Sequence, residues 1–220
     1  MKAILSSLAI LLIFISSCKK DEEIICPPTP APKNYMPLAI GNYWVYNTYR
    51  IDTNGVETKL PPHDSLVITK DTMINNETYY VVEGTFHPFQ NQWGIYRIIK
   101  NDHGNIISHL GDTILPATDY TATFREHYEI IGNNDTLYHR VFQTVDPPYE
   151  VTVPAGTFSV LDYRGTYTTY ANIPNVPNPR YVHNYYADNV GKVKQTYHYI
   201  SSYQTFEIRL VDYSVIIAVD

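Results

Sequence analysis

The stretch "NYWVYNTYRID", Asn42 to Asp52, decides the fold. Successive side chains of an extended chain point to opposite faces, so Trp44, Tyr46 and Thr48 share one side and Tyr43, Val45 and Tyr49 the other. Aromatic and β-branched residues suit a pleated, half-buried surface. Asn54-Gly55 follows directly and is a hairpin signal.

The same alternation recurs outward from this segment. "DSLVITKDTMI" leads through Asn75-Asn76 to "ETYYVVEGTF", and "WGIYRIIKN" leads through "DHGN" to "IISHL". "YTATFREHYEIIG" leads through Asn133-Asn134 to "DTLYHRVFQTV". "TFSVLDYRGTYTTY", "RYVHNYYAD", "GKVKQTYHYI" and "TFEIRLVDYSVII" complete a set of roughly ten to twelve strands of ordinary length or longer. Short Asn/Asp/Gly links imply antiparallel neighbours. The expected fold is all-β: an antiparallel meander over residues 35–220, closed as a sandwich or curled as a half-barrel. Pro154-Ala155-Gly156 reads as a tight corner, Gly41 as a turn into the first strand, and Gly191 as a turn or bulge. Ala171 to Pro179, "ANIPNVPNP", reads as a loop at one rim.

Composition agrees. The 220 residues suffice for one domain with a real core. Tyr is the outlier, 21 against 7 Phe and 2 Trp, while 15 Pro and 10 Gly leave little room for long helices. Only 17% of the chain is charged, with a net charge of −6, which argues against a nucleic-acid partner because such binding needs clustered Lys and Arg.

Catalytic signatures are missing from the sequence. The eight His form neither H-E-x-x-H nor a Cys/His metal spacing. No G-x-S-x-G elbow or phosphate-binding glycine loop occurs, and "NDHGN" and "DTNG" read as turns rather than calcium loops. The expectation is therefore no catalytic residue, no metal and no cofactor. "REHYE" is the densest polar cluster, with Arg125, His127 and Glu129 on one face and Glu126 on the other, and it reads as a solvated strand face. Tyr185, Tyr186 and His183 beside Arg180 are a weaker candidate pocket lining. The tyrosines are the better candidates for ligand contact. Tyr163 and Tyr167 share a face, as do Tyr197, Tyr199 and Tyr203. Exposed, they form an aromatic platform for sugar or peptide; turned inward, they are core.

The N-terminus carries an address. Met1-Lys2 precedes an apolar run, Ala3 to Ile15, too short to span a bilayer and suited to a secretory signal. Ile15-Ser16-Ser17-Cys18 resembles a bacterial lipobox, with Ile15 where Leu is usual, so residues 1–17 are expected to be a signal peptide and Cys18 the lipidated first residue of the mature chain. Lys19, Lys20, Asp21, Glu22 and Glu23 follow and resemble the export signal of Bacteroidota surface lipoproteins. "CPPTPAPK", Cys26 to Lys33, then makes residues 18–34 a Pro-rich tether with a reach of roughly 50 Å. With Cys18 lipidated, Cys26 is the only free thiol and reads as inert.

Three further segments carry a family resemblance: "YMPLAIGNYWVYNTY" at the start of the domain, "VTVPAGTFSVLDY" from Val151 to Tyr163, and "YYADNVGKVKQTY" from Tyr185 to Tyr197. Their order resembles a family of uncharacterised Bacteroidota outer-membrane lipoproteins. The resemblance implies an all-β lipoprotein domain and carries over no activity. Asp-Ser/Thr-apolar tripeptides at Ser65, Thr72, Thr113 and Thr136 resemble the O-glycosylation acceptor of Bacteroidota exported proteins, and equally suit strand starts.

Together these features lead to an expected function: a lipid-anchored outer-membrane domain, exposed at the cell surface, non-catalytic, binding a glycan, peptide or partner protein. A hydrolase with dispersed Asp, Glu or His, and a carrier of an apolar ligand in a half-barrel, are the alternatives.

Overall fold

The computed structural model describes residues 33–85, 92–117, 123–132, 135–170 and 176–217. Cys18, the charges at Lys19 to Glu23, Cys26 and the Asn133-Asn134 turn lie outside the described residues. Within the compact unit Pro32–Asp220, the described residues form thirteen strands in a single antiparallel sheet. They are β1 (Tyr43–Ile51), β2 (Glu57–Ile74), β3 (Glu77–Gly84), β4 (Gly94–Asp102), β5 (Asn105–Ser108), β6 (Thr113–Leu115), β7 (Thr123–Ile131), β8 (Asp135–Val153), β9 (Gly156–Thr169), β10 (Arg180–Val182), β11 (Asn184–Ala187), β12 (Gly191–Tyr197) and β13 (Thr205–Ser214). No helix occurs among the described residues.

The order is β6-β5-β4-β3-β2-β1-β13-β12-β11-β9-β8-β7, with β10 paired to β9 beside it. Two meanders, β1 to β6 and β7 to β13, are thus sewn together where the first strand meets the last. The edge strands β6 and β7 approach each other without forming a ladder. The sheet curls into a nearly closed half-barrel, which resolves the choice between sandwich and half-barrel. Long strands need bends to curl this way. β2 and β8 run 18 and 19 residues and carry register shifts opposite Tyr46/Thr48 and at Val145/Tyr149.

The turns have local causes. His103 and Gly104 both have positive φ, 51° and 87°, as a two-residue hairpin between Asp102 and Asn105 requires. Asn75 and Asn76 do the same between β2 and β3, at 51° and 64°. The Asp52 carboxylate accepts from the amides of Asn54 and Val56 and holds the β1–β2 turn.

The concave side holds the core, and the alternation of β1 places it there. Trp44 and Tyr46 are each 1% exposed, and Thr48 is also buried. Their polar handles are satisfied: Trp44 Nε1 donates to the Val190 carbonyl at 2.6 Å and Tyr46 Oη to the Lys192 carbonyl at 3.0 Å. Leu66, Ile68, Val82, Ile99, Ile106, Leu115 and Leu210 fill the space around them. Gly191 is required here, because a Cβ would sit 2.9 Å from Trp44 Nε1 and its φ is +105°.

Candidate functional site

A cavity of about 220 Å³ opens on the concave face, between the two meanders. Its lining is unlike the core beneath it. Tyr96, Phe124, Phe142, Tyr163, Tyr167, Tyr186 and Tyr197 contribute rings; Asn184 and Gln195 contribute amides; Arg97, Arg125, Arg140 and Lys192 contribute cations. Among the described residues, the lining holds no carboxylate.

Three of these cations stand next to a β-bulge. Opposite Val82 and Glu83 of β3, β4 presents Arg97 and Ile95, so Tyr96 is the extra residue. Opposite Phe142 and Gln143 of β8, β7 presents Arg125 and Thr123, so Phe124 is extra. Opposite Tyr185 and Tyr186 of β11, β12 presents Lys194 and Lys192, so Val193 is extra. A bulge lets two consecutive side chains point to the same side. Tyr96 and Arg97 therefore both line the cavity, and so do Phe124 and Arg125.

Rings and neutral acceptors hold these charges. Arg140 Nη1 donates to Tyr167 Oη at 2.6 Å, and the guanidinium lies 5.2 Å from the centres of both the Phe142 and Tyr167 rings. Arg125 lies over Phe142 at 5.7 Å and Arg97 over Tyr96 at 5.0 Å. Lys192 Nζ donates to Gln195 Oε1 at 2.7 Å. Among the described residues, Arg97, Arg125 and Arg140 form no ion pair with a carboxylate. The Arg140 Nε is buried without a hydrogen-bond partner. Burial lowers the Arg125 guanidinium's hold on its proton, and the neighbouring Arg140 and Arg97 charges lower it further; Asp112 opposes this from beyond contact distance. Burial alone would push the Tyr96 phenol up, but the Arg97 and Lys192 charges and their hydrogen bonds outweigh it and bring it down to about 8.

Outside the cavity, four of the described Lys and Arg side chains meet carboxylates, whereas Arg164 lies over the Tyr181 ring at 5.3 Å and Arg50, Lys59 and Lys70 are exposed. Arg209 is clamped between Glu57 at 2.5 Å and Glu207 at 2.7 Å, and Glu207 also takes Lys194 at 2.8 Å. Lys100 meets Glu77 at 2.6 Å and Lys33 meets Asp188 at 3.1 Å.

Of the tyrosines singled out from sequence, Tyr163, Tyr167 and Tyr197 turn toward the cavity. Tyr163 is 1% exposed and donates to the Pro116 carbonyl at 3.2 Å. It meets Tyr35, Phe124 and Tyr186 edge to face and forms part of the cavity lining. Tyr167 and Tyr197 are also in the lining. Tyr199 packs edge-on against Tyr197 and Phe206 beyond the end of β12, and Tyr203 is exposed. Arg125 leaves the "REHYE" cluster for the cavity. His127 and Glu129 pair at 3.3 Å, and Glu126 takes His139 at 2.6 Å. Of the candidate lining at the β10–β11 junction, Tyr186 enters the cavity. His183 pairs with the buried Asp162 at 2.7 Å, and its ring stacks on Tyr185. Arg180 donates to the carbonyls of Tyr199 and Ser202. Ser65, Thr72, Thr113 and Thr136 all lie in strands and are half-buried. Among the described residues, no group of three or more His, Cys, Asp or Glu could hold a metal ion.

A second space beside the cavity is apolar, lined by Met36, Trp44, Leu66, Ile99, Ile106 and their neighbours. Its volume is about 20 Å³, room for about one water.

The molecule belongs to the class of all-β antiparallel half-barrels with a filled base and an open, polar concave mouth. Two solved structures share this architecture. One is from Bacteroides fragilis, described as a candidate exported protein with a YmcC-like fold, at 12% identity and a TM-score of 0.51. The other is a candidate lipoprotein from Parabacteroides distasonis, at 14% identity and a TM-score of 0.50. Each comparison covers 83% of this chain and 99% of the other. At these identities the likeness is one of fold. No family model and no curated protein matches the chain.

Proposed function

We propose that this protein is a lipid-anchored, non-catalytic binding protein of the outer membrane, carried at the cell surface, whose ligand sits in the mouth of the half-barrel. The observation that carries the binding reading is the cavity itself. Rings, amides and cations converge there from β4, β7, β8, β9, β11 and β12, and these groups hold and orient a ligand. Anchoring rests on Cys18 after the apolar run, and surface export on Lys19 to Glu23. The descriptions of the two fold neighbours as exported protein and lipoprotein support an envelope location.

The binding reading is tested by a thermal-shift screen of glycans and peptides on the full-length chain in detergent, beside Ile114→Trp, which pushes a larger side chain into the cavity wall. A ligand that stabilises the parent and not the variant supports it. Ligands that stabilise both equally place binding elsewhere. For the anchor, Cys18→Ala should yield an unprocessed or soluble product; a mature-length variant that still partitions into detergent would sink the lipoprotein assignment. Protease shaving of whole cells, with and without Lys19 to Glu23 replaced by Ala, tests surface export.

A further inference from the structure

We infer that the cavity recognises an oxyanion: a carboxylate, sulfate ester or phosphate ester carried on a body no larger than a sugar ring. This deepens the binding reading above and rests on it. The first observation is that three arginines without a carboxylate among the described residues gather in one cavity. The chain carries a net charge of −6, so carboxylates are plentiful. On the rest of the molecule Arg209, Lys194, Lys100 and Lys33 each have one within 3.1 Å; Arg50, Lys59 and Lys70 are exposed to solvent, Arg180 bonds two backbone carbonyls and Arg164 lies over Tyr181. Arg97, Arg125 and Arg140 gather in one cavity and have none among the described residues. Like charges held together in a partly desolvated space repel.

Orientation is the second observation. The Tyr96, Phe142 and Tyr167 rings hold the guanidiniums in place without neutralising them. Arg140 spends Nη1 on Tyr167 and keeps a buried Nε without a partner. The planar fork of a guanidinium matches the paired oxygens of an acid group, and an acceptor reaching Arg140 would meet a group whose donors are not all used. The third observation is size and wall chemistry. About 220 Å³ is below the roughly 300–1,000 Å³ of drug-sized sites, which suits a single compact ring. The rings of Tyr96, Phe124 and Tyr197 and the amides of Asn184 and Gln195 surround the space left for that body.

Isothermal titration of the full-length chain in detergent tests this with galacturonate, galactose sulfate and galactose phosphate, beside neutral galactose and inorganic sulfate. At least one acidic sugar is expected to bind and galactose not. The acidic form that binds best tells carboxylate, sulfate and phosphate apart. Arg140→Met and Arg125→Met, which keep the apolar stem, are expected to weaken that binding by about 10- to 100-fold. Arg209→Met, outside the cavity, is expected to leave it unchanged. Because Arg125 repels its neighbours, Arg125→Met is also expected to melt no lower than the parent, which separates lost binding from lost folding.

Galactose binding as tightly as its acids would overturn the oxyanion inference while leaving the cavity as a binding site. Binding of inorganic sulfate alone, an adventitious ion only, would overturn it too, as would no binding by any acid. Full affinity in Arg140→Met would overturn it as well. Failure of the Ile114→Trp contrast would instead remove the binding reading beneath it.

Discussion

Arg140 and Tyr167 face each other across the β8–β9 ladder, and Nη1 of the one donates to Oη of the other at 2.6 Å. This neutral acceptor stands where a carboxylate would be ordinary. The phenol aims the guanidinium without neutralising it. Tyr167→Phe removes the acceptor and leaves another half-buried donor unmet beside the Nε that already lacks one. The expected loss is about 1–3 kcal/mol of stability, read from urea denaturation with an unchanged slope. An acidic ligand should narrow that loss by supplying the missing acceptor.

Tyr96 makes the cavity sensitive to alkali. The charged and titratable groups acting with its phenol are Arg97, Lys192 and Tyr46. Its folded value, about 8, lies below the ordinary 10, so the folded chain releases this proton first. The resulting stabilisation is absent below pH 8 and grows between pH 8 and 10. Tyr46 opposes it at higher pH, because burial, with Tyr186 and Tyr96 nearby, pushes its phenol well above the ordinary value. An ionised Tyr96 would place a negative charge beside Arg97 and Lys192, so affinity for an acidic ligand should fall across the same window. Ultraviolet titration should show one early phenolate step that Tyr96→Phe abolishes. An identical pH profile in Tyr96→Phe would refute the assignment.

Gly165 sets the closeness of β9 to its neighbours. A Cβ there would lie 2.7 Å from Val182 Cγ2 and 2.8 Å from the Phe142 ring, and both residues line the cavity. Gly165→Ala should cost about 1–3 kcal/mol through overpacking, measured by thermal or chemical unfolding. It should also disturb Phe142, over which Arg125 and Arg140 lie.

Glycosylation at Ser65, Thr72, Thr113 and Thr136 is tested by intact mass after export. Increments of hexose size that vanish with the four sites replaced by Ala are expected if the tripeptides are acceptors. A bare polypeptide mass leaves them as strand residues after turns.

Much of the fold is legible in sequence because a strand writes its two faces with period two. Trp44, Tyr46 and Thr48 could be assigned to one side from spacing alone, and they are buried together. Asn75-Asn76 and the "DHGN" turn announce themselves by residues that tolerate positive φ. The cavity is not legible in the same way. Arg97, Arg125, Arg140 and Lys192 come from β4, β7, β8 and β12, and only the sheet order brings them together. The bulges at Tyr96, Phe124 and Val193 also break the alternation at the cavity wall, so period two misassigns the residues there. Tyr163 and Tyr167 were visible as one face, but whether that face was wet or buried depended on which strands curled over it.

The most direct test is a nuclear magnetic resonance titration of the full-length chain in detergent, following arginine Nε–H resonances as galacturonate is added. The Arg140 resonance should shift in a saturable way and the Arg209 resonance should stay fixed, because only the first lies in the cavity without a carboxylate partner. A still Arg140 resonance, or a shift confined to Arg209 and its neighbours, would contradict ligand capture in the half-barrel mouth.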